Sequence, residues 1–155
     1  MKIKDLEVIR TSSPLHKTSG TNWLFVKILT DTDIVGWGEG SLQYKDSALE
    51  AEISDMKKFL LDKNPLNIED IWTSLFRKVT WSGGAVTMSA ISAIDLALWD
   101  IKGKAYGVPV YDLVGGKTRD KVKVYANGWF ENISLSSPTA RKESPKLYAE
   151  SASKL

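Results

Sequence analysis

The sequence predicts an α+β fold: an antiparallel sheet, then helices packed on it, then the start of a separate βα unit. Three observations carry this. Residues 1–40 read as antiparallel strands, with charge and apolarity alternating at the two-residue period in Lys4-Asp5-Leu6-Glu7-Val8, and residues 47–105 show the period of helices. Strand-like alternation returns only at residues 121–127, after the punctuation of Gly115-Gly116. Strands gathered first and helices second is the order of an α+β domain rather than of an alternating parallel sheet.

Composition narrows the class. The chain has 155 residues, 43% hydrophobic and 26% charged, the mixture of a folded domain or of one domain plus a fragment. Twenty-one Lys and Arg against 19 Asp and Glu leave a net charge of +2, scattered along the chain, so no basic face for nucleic acid is expected. The absence of cysteine excludes disulfides and thiolate metal sites. No uninterrupted apolar run approaches the roughly 18 residues of a membrane span. The start, MKIKDLEVIR, has no apolar core of the signal-peptide kind, so a cytoplasmic protein is expected and Asn132-Ile133-Ser134 is not read as a glycosylation site. There is no internal repeat.

The elements follow in order. Lys4-Asp5-Leu6-Glu7-Val8 alternates as a half-buried strand, and residues 23–30 (WLFVKILT) are β-branched and aromatic with one charge, Lys27. Residues 30–33 (TDTD) are turn chemistry, after which residues 34–40 (IVGWGEG) return as the partner strand. Three glycines make that strand weak by propensity and mark a bulge or a close backbone approach. Leu49, Ile53, Met56 and Leu60 place one apolar stripe on a helix over residues 47–63, with Ser47 and Glu50 as a capping box and Asn64-Pro65 as its stop. Asn67 is placed to cap a second helix with Ile68, Ile71, Leu75 and Trp72, Phe76, Val79 facing inward.

The third helix, residues 86–105, differs in kind. Its apolar residues leave a narrow polar strip through Ser92, Asp95 and Lys102, so it is expected to be buried on most sides, with Ile94, Ala97, Leu98 and Ile101 fully inside. Gly107-Val108-Pro109 ends it, and residues 110–114 give one more helical turn before Gly115-Gly116. Residues 121–127 (KVKVYAN) read as a strand, residues 131–145 as a loop and residues 146–155 as a helix.

The run AIDLALWDIKGK (residues 93–104), followed by GVPV (107–110) and LVGG (113–116), resembles the signature helix of the enolase superfamily in its mandelate racemase and muconate lactonizing enzyme branch. GWGEG (36–40) resembles the cap-sheet hairpin of that family, and KTRDKVKVYANGW (117–129) resembles the start of its first barrel strand, most like the gluconate and galactonate dehydratases. The resemblance implies an enolase-like N-terminal cap domain over residues 1–117, followed in residues 118–155 by the first βα unit of a TIM-type barrel. It further implies proton abstraction beside a carboxylate through a magnesium-stabilised enediolate, with Mg2+ and the Lys or His bases held on later barrel strands. No catalytic and no metal-binding residue is therefore expected in this chain, which alone should be inactive. A sugar-acid dehydratase is the leading expectation; racemase or cycloisomerase chemistry and a non-catalytic α+β interaction domain are the alternatives. The family also implies a small-molecule sugar-acid substrate and a dimer or octamer, with no nucleic-acid or membrane partner.

What the cap contributes is substrate selection. Two loops lean over the barrel mouth in such enzymes; by position they are residues 15–22 and the segment from Ser41. Thr18, Ser19, Asn22, Gln43 and Tyr44, with Asn127 at the end of the first barrel strand, are the candidate substrate-binding residues, because their groups hydrogen-bond hydroxyls and carboxylates. His16, the one histidine, reads as a loop residue rather than an acid or base. Asp95 and Asp100 lie five apart on different helix faces, which is wrong for joint metal coordination. They read as a buried carboxylate bonded to backbone and a charge at the helix edge. Gly115-Gly116 lacks the preceding strand of a phosphate loop, and Trp37, Trp72, Trp81 and Trp99 read as core or interface mass.

Overall fold

The computed structural model of the chain describes residues 1–12, 22–77, 81–125, 145–150 and 152–153. The chain divides into two units, Met1–Gly116 and Lys117–Leu155. The first unit opens with strands β1 (Ile3–Ser12), β2 (Asn22–Thr30) and β3 (Val35–Glu39), which form an antiparallel sheet in that spatial order. Helices α1 (Asp46–Met56), α2 (Ile68–Arg77), α3 (Gly84–Tyr106) and α4 (Val110–Leu113) follow.

One face of the sheet carries the core. Leu24, Val26 and Ile28 alternate inward from β2, each fully buried, and meet Leu49 and Ile53 of α1, Ile71 and Leu75 of α2, and Ile91, Ile94, Leu98 and Ile101 of α3. At about 25 cal/mol per Å2 of apolar surface, each of these side chains contributes roughly 1.5–3 kcal/mol by leaving water. The stripe Leu49, Ile53, Met56 and Leu60 is buried as its spacing requires. The helix that carries it is shorter than expected, because the α-helix ends at Met56 and a 3-10 turn (Lys57–Phe59) leads to Asp62 at a φ of 62°. That break lets the chain double back on β1: the Ile3 amide donates to the Lys63 carbonyl and the Asp62 amide to the Ile3 carbonyl, both at 2.9 Å. A continuous helix to residue 63 would forfeit both bonds.

The capping box at Ser47 is not formed. α1 begins one residue earlier, with Lys45 at the cap position and no side-chain cap, and the Ser47 hydroxyl instead accepts from Arg10 Nη1 at 3.1 Å. Asn67 does stand immediately before α2, its carbonyl accepting the Ile71 amide at 3.1 Å. Trp72 stacks on Phe76 with ring centroids 5.2 Å apart. Val79 lies outside the described residues.

The glycines of β3 explain how a weak strand former holds its place. A Cβ added at Gly36 would lie 2.2 Å from the Ala97 carbonyl oxygen, and one at Gly38 would lie 2.0 Å from that of Ala93. α3 therefore rests directly on the backbone of β3, which only glycine permits. Side chains of α3 then finish the strand's outer edge: Asp100 Oδ2 accepts the Trp37 amide at 2.8 Å, and Lys104 Nζ donates to the Val35 carbonyl at 2.7 Å and to Asp100 at 2.6 Å. An open edge with unpaired amides is thus closed by an i, i+4 acid–base pair.

α3 is the central helix, with Ala90, Ile91, Ala93, Ile94, Ala97, Leu98, Ile101 and Gly103 buried. Its length and apolarity would also suit a membrane-crossing helix; here the buried side faces the sheet, α1 and α2. Met88, Ser92 and Leu96 form an exposed row on the remaining side, wider than the polar strip expected from sequence. The helix ends in a Schellman motif: Gly107 takes a φ of 69°, its amide donates to Lys104 and the Val108 amide to Gly103. Of the four tryptophans read as core or interface mass, Trp72 and Trp99 pack against the core, Trp37 is 45% exposed, and Trp81 is 94% exposed.

In the second unit, residues 121–125 have no regular secondary structure, and Val122, Val124 and Tyr125 are exposed. The expected strand over residues 121–127 is thus not formed over its described part. A parallel strand needs a partner for its amides and carbonyls, and none pairs with it among the described residues. Residues 145–150 are helical, in the place expected for the helix of the βα unit. The expected loop over residues 131–145 falls almost entirely outside the described residues.

Candidate functional site

The candidate site is the end of the sheet at which β1 stops, β2 starts and β3 leaves. Ser12 pairs with Asn22, and Phe25 with Glu39, so residues 13–21 and the segment from Gly40 both depart from this end. The two segments singled out in the sequence are brought together at their roots. Asn22 is the first residue of β2. Thr18, Ser19, His16 and Asn127 lie outside the described residues.

The second segment is defined throughout. The Gly40 amide donates to the Leu24 carbonyl at 2.9 Å, and the Leu24 amide donates to Ser41 Oγ at 3.2 Å, extending the ladder past the end of β3. The Lys45 amide donates to the Leu42 carbonyl at 3.0 Å, closing a tight turn over residues 42–45. Within it Tyr44 has a φ of 63° and is 71% exposed, while Gln43 is exposed beside it. A bulky residue in the left-handed region is an outlier that costs roughly 1 kcal/mol or more, held only by its surroundings. Arg10 at the end of β1 reaches across to Ser47 and to Glu50 at 3.7 Å, fastening the first turn of α1 to the same sheet.

Beside this turn lies an open cleft of about 340 Å3 lined by Glu39, Gly40, Ser41 and, from α3, Ala85, Met88, Ser89 and Ser92. Its polar groups are the hydroxyls of Ser41, Ser89 and Ser92 and the carboxylate of Glu39, all able to hydrogen-bond. Asp95 and Asp100 are not a metal pair. The carboxyl of Asp95 is held above the ordinary range by burial, then by the nearby Glu69 carboxylate, against a hydrogen bond from Trp99. The backbone bond expected at Asp95 belongs to Asp100, which accepts the Trp37 amide. Among the described residues no three His, Asp or Glu side chains converge as metal ligands, so the donor set here does not fit a magnesium ion.

Sequence reasoning named Ser41 only as the start of the second loop, with no role of its own, and did not single out Arg10. A serine directly after a Gly-rich strand is a signal for a side chain that completes a ladder, but only the register makes it specific.

Residues 3–115 match the family model described as mandelate racemase / muconate lactonizing enzyme, N-terminal domain. D-galactonate dehydratase of Variovorax paradoxus is 49% identical over 104 residues, 67% of this chain and 27% of that protein. D-galactonate dehydratase of Pectobacterium atrosepticum is 50% identical over 104 residues, with the same coverage. Among solved structures, an enolase from Pantoea ananatis with bound D-gluconate and Mg is 38% identical, with a TM-score of 0.69 over 77% of this chain and 28% of that one. A chain from Mesorhizobium loti is 37% identical, with a TM-score of 0.80 over 94% of this chain and 38% of that one. The chain thus spans 27% of the length of these curated relatives. The three-stranded sheet, the buried α3 and the match over residues 3–115 place this chain in the mandelate racemase / muconate lactonizing enzyme family, as its N-terminal domain.

Proposed function

We propose that the chain is the substrate-selecting cap of a magnesium-dependent acid-sugar dehydratase of the galactonate and gluconate type. The observation that carries this is the identity of 49% with a D-galactonate dehydratase over 104 residues. The gluconate- and Mg-bound neighbour supports the same substrate class. In this reading residues 1–117 are the cap and residues 118–155 begin the barrel, whose later strands would supply the metal ligands and the base. The complete enzyme would be a cytoplasmic homo-oligomer, and the 155-residue chain by itself would be inactive.

The reaction removes the proton beside the carboxylate and the hydroxyl on the next carbon. Together they leave as water, and the enol that remains becomes a 2-keto-3-deoxy acid. The cap's part is to recognise the rest of the polyhydroxy chain and to exclude water. Thr18, Ser19 and Asn22 from the first loop, Gln43 and Tyr44 from the second, and Asn127 from the barrel strand are assigned to bind substrate hydroxyls. Several hydrogen bonds to hydroxyls discriminate strongly against acids that lack them, because an unmatched polar group in a closed site loses its water without gaining a partner.

The test has two steps. The coding sequence beyond Leu155 is read, and the complete product is assayed with D-galactonate and D-gluconate for 2-keto-3-deoxy acid. Formation of that product supports the reading. A complete product that racemises or cycloisomerises a carboxylic acid, or a stop codon directly after Leu155 with no barrel recruited in trans, overturns it.

A further inference from the structure

We propose that Ser41 is a positioning residue of the second cap loop: by accepting the Leu24 amide, its hydroxyl holds the turn that presents Gln43 and Tyr44 to the substrate. This rests on the cap function proposed above. Ordinary pairing between β2 and β3 ends at Phe25 and Glu39. One step further the Gly40 amide still reaches the Leu24 carbonyl, but the chain is already turning away, and the acceptor for the Leu24 amide is the Ser41 side chain at 3.2 Å. A side chain has replaced a main-chain carbonyl at the point where the strand leaves the sheet.

The replacement couples the loop to the core. Leu24 is fully buried, so its amide has no access to water, and a swing of residue 41 away from the sheet would leave it unpaired. The far end of the turn is fastened as well, by the Lys45 amide on the Leu42 carbonyl and by Arg10 on Ser47 and Glu50. Between these ties stands Tyr44, in the left-handed region and 71% exposed. Packing within the cap does not account for a ring in solvent, whereas a clamped turn accounts for its backbone. Loops that bind ligands gain affinity when their conformation is set in advance. Ser41 is the residue that sets it.

Two variants, Ser41→Ala and Ser41→Thr, are tested in two ways. In the 155-residue protein, the Leu24 amide should exchange with solvent about ten-fold faster in Ser41→Ala and stay protected in Ser41→Thr, which keeps the acceptor. In the complete enzyme, Ser41→Ala should raise KM for D-galactonate about five-fold with kcat within about two-fold, and Ser41→Thr should restore it. If Ser41→Ala does not fold, Ser41→Cys, with its weak acceptor, should move both readouts in the same direction. Unchanged exchange at Leu24 overturns the anchor. Faster exchange with unchanged KM overturns the positioning role and leaves a purely structural contact. A wild-type enzyme that dehydrates no sugar acid overturns the cap function and Ser41's role in it together, a result told apart from the others because Leu24 exchange still responds to Ser41→Ala.

Discussion

Gly38→Ala tests the contact on which the cap is built. The added Cβ would lie 2.0 Å from the Ala93 carbonyl oxygen and 2.9 Å from the Ala97 amide nitrogen. Both are backbone atoms of α3, so no rotamer change relieves the clash. Helix and strand must part by about 1 Å, and a gap of that size forfeits a quarter to a half of a dispersion contact. Ile91, Ile94, Leu98 and Ile101 are the large side chains that α3 seals into the core. If each loses that fraction of roughly 2 kcal/mol of burial, the cost is about 2–4 kcal/mol. That is a large part of the roughly 5–15 kcal/mol that holds a domain together. Gly107→Ala is the control. It has nothing within 4 Å, but its φ of 69° charges an alanine about 1–2 kcal/mol for the left-handed conformation. Urea unfolding of the three proteins, followed by tryptophan fluorescence and by circular dichroism, gives both numbers. A cost below about 1 kcal/mol at Gly38, or one no larger than at Gly107, would refute direct contact of α3 with β3.

Three further outcomes follow from the same framework. Leu98→Ala should cost about 2–5 kcal/mol in urea unfolding, because Leu98 is 1% exposed and its loss leaves a cavity; a cost below about 1 kcal/mol would mean that the site is not core. Asp100→Ala should cost about 1–3 kcal/mol and speed exchange of the Trp37 amide, whereas Asp100→Asn keeps an acceptor and should cost less; equal losses in the two variants would show that charge, not the backbone bond, is what matters. Burial and Glu69 raise the Asp95 carboxyl, so at a pH between its unfolded and folded values the folded protein holds a proton that the unfolded chain has released. The stability this contributes is full below the unfolded carboxylate range and is lost as pH rises through the folded value. Asp95→Asn should therefore be at least as stable as the parent at neutral pH, with any advantage shrinking as pH falls; a deficit greatest at neutral pH would contradict this.

The parts of the fold that were legible in the sequence are those governed by local period. Leu49, Ile53, Met56 and Leu60 announce one helix face, and the alternation of Lys4-Asp5-Leu6-Glu7-Val8, with Leu6 buried, announces β1, because a core sorts side chains by polarity at the spacing of the backbone. What period cannot carry is competition between partners. Ser47 and Glu50 have the spacing of a capping box, yet the guanidinium of Arg10, 37 residues earlier, takes the Ser47 hydroxyl. Residues 121–125 alternate like a strand, but alternation supplies no hydrogen-bond partner. Asp95 and Asp100 look alike in sequence. Only the approach of β3, set by Gly36 and Gly38, decides that Asp100 meets an amide and Asp95 does not.

The candidate site follows from that same approach. With Gly36, Gly38 and Gly40 all against α3, β3 cannot shift sideways or slip in register without driving a neighbouring residue into the helix. The place where residue 41 leaves the sheet is therefore set by the core, and the Leu24 amide is left facing the Ser41 hydroxyl. From there the turn over residues 42–45 has little freedom, since Lys45 opens α1 and Arg10 holds its first turn. A helix packed on glycines thus fixes, through one serine, where Tyr44 stands. This chain of contacts makes a specific demand on the Gly38→Ala variant. If that variant still folds, protection of the Leu24 amide should fall along with the stability of α3, although the strand partner of residue 38 is Val26 and not Leu24. Loss at α3 with Leu24 fully protected would mean that the loop is held independently of the core, and the link from packing to substrate recognition would have to be drawn through Arg10 instead.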